Sequence, residues 1–293
     1  MKKICLRMFI GSIILGCCLM ATAYIVSGKG LIIQIYGQNY SLSEISRNWL
    51  DASFHKSESE IISESEIISE SEIKESEKTD CYVDEIDFEK IHGVIVNAQG
   101  AYFEIRESED GQYHMKVQYT SYDSYEYYID ENDMLHLETT SDEERRSDIT
   151  QFIIVVEIPK ESILENNTII GNKQIMLNGN FMIENSHIKT SGHIMLSSCK
   201  IKNTTFYAKN EGIWSNMIHL DGKNEMSSVH GDIYAGIVHE EKEINLNAST
   251  DVGFVSVNND PRTSSYVNET NSMHDLSIHT DYGNIKIQTN VNK

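Results

Sequence analysis

A chain of 293 residues has room for one or two domains, and 45 acidic against 24 basic residues give it a formal net charge of −21. A surface of that sign repels phosphate backbones, which excludes nucleic acid as a partner. Of five cysteines, Cys5, Cys17 and Cys18 fall in or beside an apolar N-terminal run. Cys81 and Cys199 are left, enough for at most one bridge and too few for a thiolate metal site.

Met8 to Val26 is a charge-free run of 19 residues that would span about 28 Å as a helix, close to a hydrocarbon core. Lys2, Lys3 and Arg7 precede it, so the positive-inside rule keeps the short N-terminus cytoplasmic and sends the rest of the chain outside. The expected localisation is a single-pass protein of the cell membrane that contacts lipid through residues 8–26. A signal peptide cut after Ala21-Thr22-Ala23, or a lipoprotein cut before Cys17 in Ile14-Leu15-Gly16-Cys17, stays open; both also export the bulk of the chain. So short a cytoplasmic segment cannot hold a signalling domain.

Beyond the anchor (1–30) comes a juxtamembrane segment (31–56). There Ser41 and Glu44 have capping-box spacing, and Leu42, Ile45 and Trp49 predict a short interfacial helix. From Ser57 to Lys78 the chain reads SESEIISESEIISESEIKESEK. On a helix each six-residue step turns the pattern by about 240° net, scattering the isoleucines around the axis; on a strand Ile62 and Ile68 share a face with repelling glutamates. Neither structure buries an apolar face. Residues 57–80 are therefore expected to form a disordered, self-repelling stalk.

Residues 81–293 are expected to be an all-β ectodomain. GVIVNAQGAYFEIRE, QYHMKVQYTS, YEYYIDEN, MLHLETT and QFIIVVEIP alternate apolar and polar residues between turn-like clusters. A looser repeat then follows, in which IKTSGHIML, SSVHGDIYA, STDVGFVSV and HTDYGNIKI each carry a polar turn, a glycine and an alternating strand. The turn glycines Gly192, Gly212, Gly231 and Gly253 are spaced by 20, 19 and 22 residues, and Gly283 follows after 30, beyond an expected loop NNDPRTSSYVNETNS. Regular spacing of about 20 residues predicts a β-solenoid of stacked coils, with a β-sandwich as the alternative. Ile188, Ile194, Leu196, Ile233, Phe254, Val255 or its neighbour, Ile285 and Ile287 are the expected inward positions.

The anchor, GVIVNAQGAYFEIRE, FIIVVEIPKES and the SVHGDIYAG and HTDYGNIKI turns together resemble the bacterial putative adhesin family, over residues 83–293. Two departures stand out: Gly212 is followed by IWSNMIHL, and Val252-Gly253 replaces the usual Gly-Asp. The resemblance implies a surface-exposed β-solenoid of a bacterial envelope and carries little about activity.

Catalytic signatures are missing: the sequence holds no G-x-S-x-G elbow, phosphate loop or H-E-x-x-H helix, and no cofactor is expected. DENDMLHLE lacks the glycine and spacing of a calcium loop, and His187, His193, His274 and His279 read as solvated-face residues, so no metal site is expected. Glu184, Asp232, Asp251 and Asp281 do not share one position relative to the turn glycines, which leaves a solenoid carbohydrate-active enzyme unsupported. The run YTSYDSYEYY brings Tyr119, Tyr122, Tyr125, Tyr127 and Tyr128 within ten residues. Such rings supply rigid amphipathic contact area, although tyrosine is also a favoured strand residue. The sequence thus points to a non-catalytic binding or adhesion module for a cell-wall polymer or envelope protein. An envelope regulatory protein acting through a membrane partner is the alternative.

Overall fold

The computed structural model describes residues 33–35, 38–40, 80–142, 151–261 and 263–291. The expected anchor, juxtamembrane helix and SESEII stalk lie outside the described residues. Contacts divide the chain between residues 73 and 74. On the first side β1 (Ile33–Ile35) and β2 (Gln38–Tyr40) pair antiparallel. On the second side the described residues are all-β, apart from one 3-10 turn at Glu241–Glu243.

Seven strands come first: β3 (Cys81–Phe88), β4 (Gly93–Ala98), β5 (Tyr102–Glu107), β6 (Tyr113–Thr120), β7 (Asp123–Ile129), β8 (Met134–Ser141) and β9 (Ile153–Ile158). The stretch GVIVNAQGAYFEIRE is two strands, β4 and β5, separated by a corner at Gln99-Gly100. Shorter strands follow: β10 (Ile163–Glu165), β11 (Thr168–Gly171), β12 (Ile175–Asn178), β13 (Met182–Glu184), β14 (His187–Thr190), β15 (Ile194–Ser197), β16 (Lys200–Lys202) and β17 (Thr205–Ala208). Each set of three pairs parallel with the next. Ile163 faces Met182 and then Lys200; Thr168 faces His187 and then Thr205; Ile175 faces Ile194 and then Ile213. The long β18 (Ile213–His230) serves all three ladders, through its first residues, its middle and its end.

The even pleat sends alternate residues inward, and identical registers stack them strand upon strand. One column runs Val96, Ile169, Ile188, Phe206, Met226, Ile278, Ala248, every member buried. Each large apolar side chain so enclosed contributes about 1.5–3 kcal/mol. No pass buries that face without its neighbours.

Two corners explain how short strands turn. At one, Asn166, Asn185, Asn203 and Gly222 adopt left-handed φ of 55°, 50°, 49° and 58°, a conformation that Asn and Gly tolerate best. Beside them Asn167, Ser186, Thr204 and Asn224 are buried, and they satisfy one another and the backbone. Asn167 Nδ2 donates to Ser186 Oγ at 2.7 Å and to the Leu164 carbonyl at 2.8 Å, and the Thr204 N–H donates to Asn224 Oδ1 at 3.2 Å. At the other corner sit the glycines singled out from sequence, each pressed against the neighbouring pass. A Cβ on Gly192 would lie 2.7 Å from the Lys173 carbonyl carbon, one on Gly212 2.1 Å from the Asp232 oxygen, and one on Gly231 2.5 Å from the Glu211 carbonyl carbon. One on Gly253 would meet the Gly283 oxygen at 2.0 Å, and one on Gly283 the Gly231 oxygen at 2.3 Å. Close backbone approach demands glycine there.

The last elements are β19 (Ile233–Ile237), β20 (Asn245–Val252), β21 (Val255–Val257), β22 (Asp260–Pro261), β23 (Ser265–Asn268), β24 (His274–Tyr282) and β25 (Ile285–Gln288). Here spatial order departs from chain order. β24 lies between β18 and β20, and β25 lies between β19 and β21. The expected loop NNDPRTSSYVNETNS contains β22 and β23, which pair antiparallel with β21 and β20. At the opposite end β3, β6 and β7 are also antiparallel. Both ends of the parallel ladders are thus closed by reversed strands.

One inward-facing expectation needs correcting. Phe254 is 52% exposed, because it occupies the corner just after Gly253; Val255 and Val257 are the residues that face inward. Cys81 and Cys199 are both free: the first is exposed, the second buried in the core.

Candidate binding groove

β3 pairs with β6 over its whole length, so Tyr82 lies directly opposite Tyr119. Alternation puts Tyr82, Asp84, Ile86 and Phe88 on one face of β3, and Met115, Val117 and Tyr119 on the matching face of β6. β7 brings Tyr125 and Tyr127 against them. The outcome is a row of five aromatic rings. Centroids are 5.4 Å apart for Tyr82–Tyr119, 5.5 Å for Tyr119–Tyr125, 6.3 Å for Tyr125–Tyr127 and 6.0 Å for Tyr127–Phe88. Tyr119, Tyr125 and Phe88 pack on the core, whereas Tyr82 and Tyr127 are 44% and 41% exposed.

An open groove of about 630 Å³ lies along this row, lined by Asp84, Tyr119, Asp123, Ser124, Tyr125, Glu126 and Tyr127. The Tyr125 hydroxyl donates to Asp84 Oδ2. Burial, and then the hydrogen bond to Asp84, push the phenols of both Tyr125 and Tyr119 above their ordinary range. Asp123 accepts from the Thr120 N–H (3.0 Å), Thr120 Oγ1 (2.8 Å) and Ser141 Oγ (2.5 Å), which fixes the turn between β6 and β7. Nearby, burial and then the Asp123 carboxylate hold the Cys81 thiol above its usual value.

Of the five tyrosines read from sequence, three line this groove. Tyr122 sits in the turn, where its N–H donates to Thr120 Oγ1 at 3.3 Å. Tyr128 lies on the opposite face of β7, 59% exposed and stacked on His136 at 4.3 Å. Sequence reasoning missed Tyr82, Asp84 and Phe88, which lie some forty residues earlier. The alternation in YVDEIDF was the available signal.

Two further groupings came together only in the fold. Asp251, His279 and Asp281 offer donor atoms that all lie within 4.8 Å of one another. The turn glycines explain it: Asp251 and Asp281 each precede theirs by two residues, and the β20–β24 register sets them side by side. Ser249 Oγ lies 3.0 Å from His279 Nδ1, and Asp281 Oδ1 lies 3.0 Å from Nε2. Elsewhere Trp214, half exposed, and Tyr234 stand at 5.5 Å on neighbouring strands, with Lys286 Nζ 5.9 Å from the Tyr234 ring. DENDMLHLE is a hairpin turn, in which Asp130 Oδ1 accepts from the N–H groups of Asn132 and Met134.

No protein-family model matches the chain, and no curated protein matches it. Among solved structures it is similar to a putative cell adhesion protein from Clostridium sporogenes, at 12% identity and a TM-score of 0.44, over 72% of this chain and 100% of that one. A putative adhesin from Bacteroides fragilis matches at 11% identity and a TM-score of 0.31, over 72% and 97%. One from Parabacteroides distasonis matches at 11% and 0.28, over 72% and 98%. These structural neighbours are putative adhesins from several bacteria, the family that residues 83–293 resemble.

Proposed function

We propose that the chain is a non-catalytic binding module displayed outside a bacterial cell membrane. In this reading it is a β-solenoid carried on an acidic stalk and held by a single N-terminal span at residues 8–26. Three parallel ladders with a recurrence of 18 or 19 residues support the solenoid over a sandwich, whose sheets are antiparallel. The apolar run behind Lys2, Lys3 and Arg7 supports the anchor.

The observation that carries the binding reading is the aromatic row. Five rings converge from three strands on an open groove, and two of them keep more than 40% of their surface in solvent. Exposed rings beside hydrogen-bonding carboxylates suit a polymer of the cell wall or a segment of an envelope protein. The test is co-sedimentation of residues 74–293 with purified cell-wall sacculi, with anionic vesicles as control. Saturable binding to sacculi alone, weakened by Tyr82→Ser and Tyr127→Ser, is expected. Wild-type protein that stays in the supernatant sinks the wall reading and moves the search to crosslinked membrane proteins. Binding indifferent to both substitutions sinks the groove.

A further inference from the structure

We propose that the groove selects a cationic ligand, a primary ammonium group on a short aliphatic arm; this rests on the groove being the binding site. Its lining holds three carboxylates, Asp84, Asp123 and Glu126, three phenol rings and one serine, with no basic side chain. Several hydroxyl protons in and beside it are already committed. Tyr125 donates to Asp84, Thr120 and Ser141 donate to Asp123, and Ser124 Oγ is paired with Thr140 Oγ1 at 2.7 Å.

What the lining offers a ligand is therefore chiefly carboxylate acceptors and ring faces, with few hydroxyl donors. A carboxylate or phosphate ligand meets like charge and few free donors. A neutral sugar hydroxyl finds acceptors for its proton and little for its lone pairs. An ammonium group is the complement: it has three donors, no acceptor and a positive charge. Tyr125 and Tyr127 lie near-parallel, 15° apart, and Tyr127 keeps 41% of its surface exposed, so its ring can meet a cation through π-attraction. Long-range field works in the same direction, since the chain's net charge is −21 and the segment that precedes β3 is itself acidic.

The direct test is calorimetric titration of the full chain with pentylammonium against pentan-1-ol, a pair of equal length that differs at the head group, at one fixed ionic strength. About a tenfold preference for the ammonium is expected from one ring contact plus a partly desolvated carboxylate. Tyr127→Leu, which keeps apolar bulk and removes the ring, and Glu126→Gln should each erode that preference. Glu109→Gln, an exposed acid outside the groove lining, should leave it intact, which separates the groove from diffuse attraction to an acidic surface. Equal affinity for both probes overturns the ammonium assignment, and so does a preference that Glu109→Gln reduces as much as Glu126→Gln does. If neither probe binds while sacculi still sediment the protein through Tyr127, the ligand class is wrong and the groove stands. If sacculus binding fails as well, both readings fall.

Discussion

His239 gives the fold a definite acid response. Its Nε2 accepts the Leu220 N–H at 3.1 Å, so the neutral ring carries its proton on Nδ1. Protonation turns Nε2 into a donor and leaves the Leu220 N–H without an acceptor. His274 stands 4.4 Å from the ring and His219 5.9 Å from it, while Lys242 and Glu243 line the same recess. Burial first, then the charges of His274 and His219, hold the imidazole below its ordinary value, with Glu243 opposing. A depressed folded pKa means that the unfolded chain binds the extra proton first as pH falls. The stabilisation is complete above the unfolded value of about 6.5 and is lost as pH drops through the folded pKa. Orphaning one partly buried N–H costs about 1–3 kcal/mol, and a domain of this size changes Tm by roughly 2–4 °C per kcal/mol. Thermal unfolding of residues 74–293 between about pH 7.5 and 5.5 should therefore show a loss of several degrees. His239→Gln keeps an acceptor in reach without titrating and should flatten that loss; His239→Phe should be destabilised at every pH. His114 works with the opposite sign: hydrogen bonds to Asp87 and Asp110 raise it, so its contribution fades as pH rises through its folded value. A His239→Gln variant with the same acid loss as the parent would refute the reasoning.

Gly212→Ala forces a Cβ to within 2.1 Å of the Asp232 oxygen and should cost about 3 kcal/mol, whereas Gly111→Ala, at φ +75° with open space around it, should cost about 1 kcal/mol; urea midpoints compare the two. Cys199 is fully buried, and burial pushes its thiol up to about 12, so a thiol reagent should label Cys81 in native residues 74–293 and reach Cys199 only after unfolding. Asp84→Asn should let Tyr125 ionise at lower pH, because the carboxylate that receives its proton is part of what holds the phenol up; ultraviolet titration reads the change.

Much of the β architecture was legible in the sequence because strand alternation and glycine spacing are local signals. Val94, Val96, Ile188, Ile194, Ile285 and Ile287 face inward as their parity requires. What was not legible depended on contacts between distant segments. Asn166, Asn185, Asn203 and Gly222 recur at 19, 18 and 19 residues, a second repeat as regular as the glycine one, yet asparagine reads as an ordinary polar residue until its positive φ is seen. The groove was half visible. Tyr119, Tyr125 and Tyr127 come from one strand–turn–strand stretch of chain, but Tyr82, Asp84 and Phe88 arrive through the long-range β3–β6 pairing. Tyr122 and Tyr128 were grouped with them by proximity in the chain, and the turn and the pleat separate them. Phe254 was assigned inward because apolar character outweighed its place beside a corner glycine.

The insertion of β24 and β25 between earlier strands limits how this protein can be assembled and lengthened. Residues 245–257 have no neighbour on their inner side until residues 274–288 arrive, so these strands close only when residues 274–288 have emerged. Truncation before His274 would strip two passes at once. A unit inserted directly after β25 would find both neighbours of β25, β19 and β21, already in place. New length can enter only between about residues 160 and 210, where neighbours in the chain are neighbours in space. Growth of such a protein by internal repetition is thus directed to its middle, leaving both ends, and the groove at one of them, unchanged.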